Sequence, residues 1–458
     1  MLLDWLEQQT LPAILSVDML VYGGLVASRA LDLPAADACA RADRLDVILR
    51  KYPREVQAFS VVMRVPPYCT SDDDRRFSDR LLAYSQAAAS TRGGPLAKLR
   101  LQSLRKKIPA QFLRRYLDAR ARNSETNRRF LGWARDGLLH YGILGMDDSK
   151  TEGFNVTERR ALEPLVPSNA ALIPGADELA LLLLARTVLE KSPRKPRVEV
   201  RYSPETLARR VTRYEDRAVQ PLVEAHLAVL GLTATRDAPD VVLFVHGPSG
   251  AQQEASTQIL PPRASRRVRA LAREVAACEP LAAVADLAYA NGGDRALVAA
   301  LTEEMPLARL AGYAAWNTAG NTVGTVLAQA LIRWASLRDD ALDPRASTET
   351  HVRFLFERFV DDWAYQSEVR QEVGARLALQ RRNIYALGEA HSEVAGEVDR
   401  RLREAAGRFF EKGFRGGVTP GPRGTAWRVD DLRRLDAALP WPRIFEVQVR
   451  TEFGLQRA

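Results

Sequence analysis

Short apolar runs of strand length recur along the chain, and five stop abruptly in Asp, Glu, Asn and Gly: ILSVDMLVYGG (14–24), YGILGMDDS (141–149), ALIPGADE (171–178), AAVADLAYANGGD (282–294) and AAWNTAGNTVG (314–324). Between them the apolar positions take helical spacing. The pattern predicts strands at 14–21, 56–65, 139–146, 170–174, 197–202, 241–246, 281–287 and 309–315, alternating with helices. Strands apolar on both parities and separated by helices indicate an α/β fold with a mostly parallel sheet covered on both faces. About eight strands in βα alternation suit either a TIM-barrel-like layout, complete or incomplete, or a doubly wound sheet. In both, the carboxyl ends of the strands converge on one ligand-binding rim.

After about residue 336 the character changes. Residues 351–413 read as a long Arg- and Glu-rich helical region, FRGGVTPGPRGTAW as a Gly/Pro loop, 429–438 as a short helix and 443–449 as a closing strand. This divides the chain into an α/β domain at 1–335 carrying the site and a helical region at 336–458.

The 458 residues, 46% hydrophobic and 27% charged, are ordinary for a globular protein. The longest apolar run, LALLLLARTVL (179–189), falls short of the roughly 20 residues of a spanning helix. No signal-peptide pattern opens the chain, which makes a cytoplasmic location the expectation. Cys39, Cys69 and Cys278 are far apart and lack metal or disulfide spacing. The net charge of +9 reads as Arg spread through helical segments, and 98–129 as an amphipathic helix with a solvated basic side, so neither nucleic acid nor membrane is an expected partner. The C-terminal helical region, with Arg358, Asp361, Asp362 and Tyr365, is expected either to lid the site or to make a homodimer contact.

Asp147 and Asp148 follow a strand directly. Neighbours in extended chain point opposite ways, so one carboxylate faces a cleft while the other is held by backbone, the acid pairing of glycosidases. Helix capping by Asp-Asp-Ser accounts for the same residues. Asp177 and Glu178 open a helical run and complement its dipole, or stand on the sheet rim after the Pro-Gly turn. Asp18 lies within an apolar run and needs a counter-charge, for which Arg29 is nearest. Tyr289, Asn291, Asp294, Trp316, Asn317 and Asn321, with Tyr22, have the aromatic-plus-amide character of a sugar-binding lining. His246 ends a strand and reads as structural. Neither GxGxxG nor a P-loop is present.

At these motifs, together with GMDDSKTEGFN, RFVDDWAYQSEVR (358–370) and LPWPRIFEVQV, the sequence resembles an uncharacterised bacterial family catalogued as domain of unknown function 4127. The resemblance spans nearly the whole chain. It implies a further strand, ending in Pro-x-Asp-x-Arg-Pro, ahead of the first strand seen here, and it implies no particular reaction. The leading expectation is a carbohydrate-active, glycosidase-like hydrolase acting on a small-molecule substrate, with Asp147 and Asp148 as the catalytic pair and no cofactor. A hydrolase of amides or esters using Mg²⁺ or Ca²⁺ on the same acids, and a non-catalytic sugar-binding protein, are the alternatives.

Overall fold

The computed structural model describes residues 2–9, 12–51, 56–67, 72–90, 94–259 and 263–458. Cys69, and Gly93 at an expected helix break, lie outside them. The chain forms two compact units, one of residues 1–184 with 214–218 and one of 185–213 with 219–458.

The first unit holds a four-stranded parallel sheet of β1 (Ala13–Ser16), β2 (Val56–Val62), β3 (Tyr141–Met146) and β4 (Ala170–Pro174), in that spatial order. Register places Ser16 beside Phe59 and Val62 beside Met146, so the strand ends follow one another across the sheet. Val56, Ala58, Val62 and Leu144 pack against Leu45, Ile48 and Leu49 of the helix Ala35–Lys51 and against Phe130 and Leu131 of the helix Ala110–Arg135. Each such buried aliphatic or aromatic side chain contributes about 1.5–3 kcal/mol. Gly145 lets β4 close in: a Cβ there would lie 2.6 Å from Leu179 and also against the Gly175 carbonyl.

The first strand is shorter than expected. It ends at Ser16, whose hydroxyl accepts from the Met19 amide and starts a helix at Val17–Tyr22. Asp18 is therefore in a helical turn at the end of β1 rather than inside a strand.

The second unit repeats the wiring with β5 (Val198–Ser203), β6 (Val241–His246), β7 (Leu281–Asp286) and β8 (Gly312–Ala314), again parallel and in sequence order. Among the described residues no closed barrel forms. The eight expected strands exist as two open quartets, each sequentially ordered, so a strand count that suggested a barrel was the sum of two half-sized sheets.

Residues 336–458 belong to the core of the second unit. Val242, Phe244 and Val284 share one apolar cluster with Leu355, Phe356, Phe410, Phe414 and Phe453. Phe356 alone makes edge contacts with Phe410, Phe414 and Phe453, at 5.9, 5.0 and 5.3 Å between centroids. The helical expectation holds over Pro344–Leu379 and His391–Gly413, with a ten-residue π-helical stretch at Val360–Val369.

The expected helix at 429–438 is a strand, β10 (Ala426–Ala438), antiparallel to β11 (Gln448–Arg457) and to the short β9 (Val418–Pro420). Val429, Leu432 and Leu435 recur every three residues, which reads as helical. Register shifts at Val429/Asp431 and Leu432/Arg434 insert an extra residue each time, so that spacing keeps one face of a bulged strand. The closing strand accordingly starts at Gln448, not at 443. Among the described residues no helix is long and apolar enough to cross a membrane.

Candidate active site

Parallel wiring brings the carboxyl ends of β1 to β4 to one edge of the first sheet, and each delivers charge there. Asp18 follows β1, Arg64 follows β2, Asp147 and Asp148 follow β3, and Asp177 and Glu178 follow β4.

Asp147 is buried, and its Oδ2 lies 2.5 Å from Nη2 of the equally buried Arg29. The expected Asp18–Arg29 pair is thus replaced: Arg29 sits on Asp147 and acts on Asp18 only at a distance. Asp18 is 2% exposed, and its Oδ2 has no hydrogen-bond partner. Burial pushes its carboxyl up to about 7, opposed by the Val61 amide and the Arg29 charge and assisted by Asp147.

Asp148 points the other way. Its side chain keeps 21% of its surface open and accepts a 2.9 Å hydrogen bond from Arg64 Nη1. Burial and the neighbouring Asp147 charge raise its pKa, while Arg64 and Arg29 work against the rise. Asp177 is exposed and adds its charge to the field at Arg64. Glu178 is fully buried against Gly175, whose φ of 106° and missing Cβ make room for the carboxyl. Tyr22 lies in the core with the Arg122 guanidinium 5.1 Å from its ring centroid, so it offers no open stacking face.

Residues outside the expected set hold this edge in place. Arg120 donates to the carbonyls of Met63 and Arg64 at 3.0 and 2.9 Å and to both oxygens of Glu158 at 2.8 and 2.6 Å. Arg122 donates to the carbonyls of Ser28 and Leu33 at 2.6 and 2.8 Å. Both arginines are buried, so the expected solvated basic side over 98–129 holds at Lys98, Arg100, Lys106, Lys107 and Arg114 but not at Arg120 and Arg122. The signal was present: Tyr116, Arg120, Asn123 and Asn127 run at helical spacing on the same stripe as Phe112 and Phe130, and a polar stripe in line with an apolar one is a buried network.

The other expected residues gather in the second unit. His246 ends β6 and its Nε2 lies 3.0 Å from Asp294 Oδ2, while its Nδ1 faces Arg267 Nη1 at 3.4 Å. An arginine only donates, so Nδ1 accepts and Nε2 carries the proton. Asp286 ends β7 and accepts from the Asp294 amide at 2.6 Å and from the Tyr313 hydroxyl at 3.4 Å. Burial pushes Asp286 up to about 6. Asp294 caps the helix Arg295–Glu304 through the Ala296 amide. Burial opposes its ionisation, but His246 and the helix amides outweigh it and hold the pKa below the usual value.

Asp362, from the π-helical stretch, accepts from the Ala315 amide and from Arg358 at 2.8 and 2.9 Å, and burial pushes it up to about 7. Asn291 and Asn317 both adopt left-handed backbone, φ 59° and 57°, and are joined by the Asn291 amide donating to the Asn317 carbonyl at 2.9 Å. Tyr289 and Trp316 are half-buried beside them; Asn321 is buried in the helix Ala319–Ser336. His246, Asp286, Asp362 and Arg358 complete this centre. A π-helix inserts a residue per turn, and nothing in RFVDDWAYQSEV announces that.

A family model with the description "Protein of unknown function (DUF4127)" matches residues 1–450. The chain belongs to this family. No curated protein and no solved structure matches it. In this DUF4127 chain, among the described residues, no group of three or more His, Cys, Asp or Glu is placed to hold a metal ion. At the first centre Asp147 and Asp148 face Arg29 and Arg64.

Proposed function

We propose that this DUF4127 chain is a glycosidase-like hydrolase of a hydroxyl-rich small molecule, with its acid/base chemistry at Asp148. The observation that carries the reading is the contrast within one dipeptide. Asp147 is buried and paired with Arg29, whereas Asp148 is partly open and biased towards its protonated form by desolvation and by the Asp147 charge. A carboxyl in that state suits protonation of a leaving oxygen, and Arg64 is placed to compensate the carboxylate that remains.

The arginine partners support this reading over a metal-dependent hydrolase, since carboxylates engaged by guanidinium groups are poor candidates for cation ligands. The second centre has weaker support as a substrate-gripping site. Its polar atoms are engaged with one another: Asn291 Nδ2 with Glu254 at 2.7 Å, Trp316 Nε1 with Thr325 at 3.0 Å, and Asp294 with His246 and Ala296. We assign it a framework role.

The test is product analysis of the purified chain against a panel of aryl glycosides, oligosaccharides, amides and esters. Glycoside hydrolysis that survives chelator and is lost in Asp148→Asn is expected. Hydrolysis of amides or esters only, or chelator-sensitive turnover, overturns the proposal.

A further inference from the structure

The positive charge is less scattered than the composition suggests. From Arg80 to Leu117 the chain has nine Lys or Arg and no Asp or Glu, a surplus equal to the +9 of the whole protein. Within this stretch the helix Pro95–Lys106 buries none of its residues. Ala97, Leu101, Leu104 and Ile108 form its inward stripe, and Leu96 and Leu99 stand on the other side, 81% and 61% exposed. Lys98, Arg100 and Lys106 of this helix, and Lys107 at its end, are also exposed. Among the described residues none of the four makes an ion pair. Beside the helix end lies a hollow of about 880 Å³ with Phe77 and Leu113 in its floor, Arg105 and Arg114 at its rim, and one acid, Asp118, at its edge.

We infer that this helix face docks on the surface of an anionic phospholipid bilayer. Basic side chains flanking exposed aliphatic ones are what an interfacial helix requires: leucines enter the headgroup–acyl boundary while lysines and arginines meet lipid phosphates. A second copy of the chain does not fit, because a two-fold contact would press this surplus against itself. Nucleic acid fits less well, since aliphatic groups rather than stacking aromatics project between the cations. The surface lies in the helical excursion between β2 and β3.

Flotation of the full chain with vesicles of phosphatidylcholine alone, and with 30% phosphatidylglycerol added, tests this. Binding to the anionic vesicles only, released by 0.5 M NaCl, is expected. Each cation removed should weaken binding roughly fivefold, so Lys98→Ala/Arg100→Ala/Lys106→Ala/Lys107→Ala loses several hundredfold. Leu96→Ser/Leu99→Ser should lose roughly tenfold. Both variants alter exposed positions and should keep the wild-type circular dichroism and melting temperature. Equal binding to neutral vesicles, unchanged affinity in the four-cation variant, or tighter binding to a DNA or RNA oligonucleotide than to anionic vesicles overturns the inference.

Discussion

Arg29 closes on Asp147 at 2.5 Å and leaves Asp18, two strands away along the sheet edge, with a buried oxygen that no donor reaches. One guanidinium is shared by two buried acids, and the nearer acid has it. At the farther one burial outweighs the distant guanidinium and carries the Asp18 carboxyl up to about 7.

The consequence is a stability that falls as pH rises. Asp18 binds its proton more tightly folded than unfolded, so its contribution is fully present below about pH 4 and is lost as pH climbs through about 7. Asp18→Asn should remove on the order of 2 kcal/mol of that slope. Urea denaturation at pH 4.5 and pH 8 checks it: the wild type should lose stability relative to the variant between the two. A difference that stays constant with pH contradicts the assignment.

Removing one partner of the Arg29–Asp147 pair exposes a buried charge. Arg29→Met should cost about 3–5 kcal/mol, and Arg29→Met/Asp147→Leu should regain more than half of that. A double-mutant cycle by chemical denaturation reads the coupling; additive losses would show the two groups to be independent.

Arg120 is the clamp on the β2 end that carries Arg64. Arg120→Met leaves Glu158 and two carbonyls without their donor and should destabilise by about 3 kcal/mol. Arg64→Met removes no such clamp and should cost under about 1 kcal/mol while lowering turnover. Matched melting curves and rates separate the two; equal stability losses would contradict the division of roles.

In the second unit Asp294 both caps a helix and holds His246. Asp294→Ala should cost about 2–4 kcal/mol, whereas Asp294→Asn keeps the cap acceptor and should lose roughly half as much. Thermal denaturation distinguishes them. A neutral Asp294→Ala would remove the framework role assigned to this centre.

Much of this was legible in the chain. The apolar runs ending at Asp147, Asp177 and Asp286 lie at strand ends because a parallel strand buried on both faces must change composition where it emerges. What was hidden follows from interactions that leave no periodic trace. Ser16 stopped β1 through a single hydroxyl, two bulges disguised β10 as a helix, and Arg120 and Arg122 looked solvated because residue type was weighed above stripe position. The division of eight strands into two quartets rests on pairings that spacing does not encode. Arg29's choice of Asp147 over Asp18 depends on a tertiary distance, whereas chain proximity favoured Asp18.

The most direct measurement is the pH dependence of kcat/KM on whichever glycoside the chain hydrolyses. Asp148 as the proton donor predicts an alkaline limb set by its raised pKa, and in Asp148→Asn a loss of that limb with a rate lowered about 10²–10⁴-fold at unchanged melting temperature. A variant that turns over substrate at the wild-type rate, with the limb intact, would contradict the account.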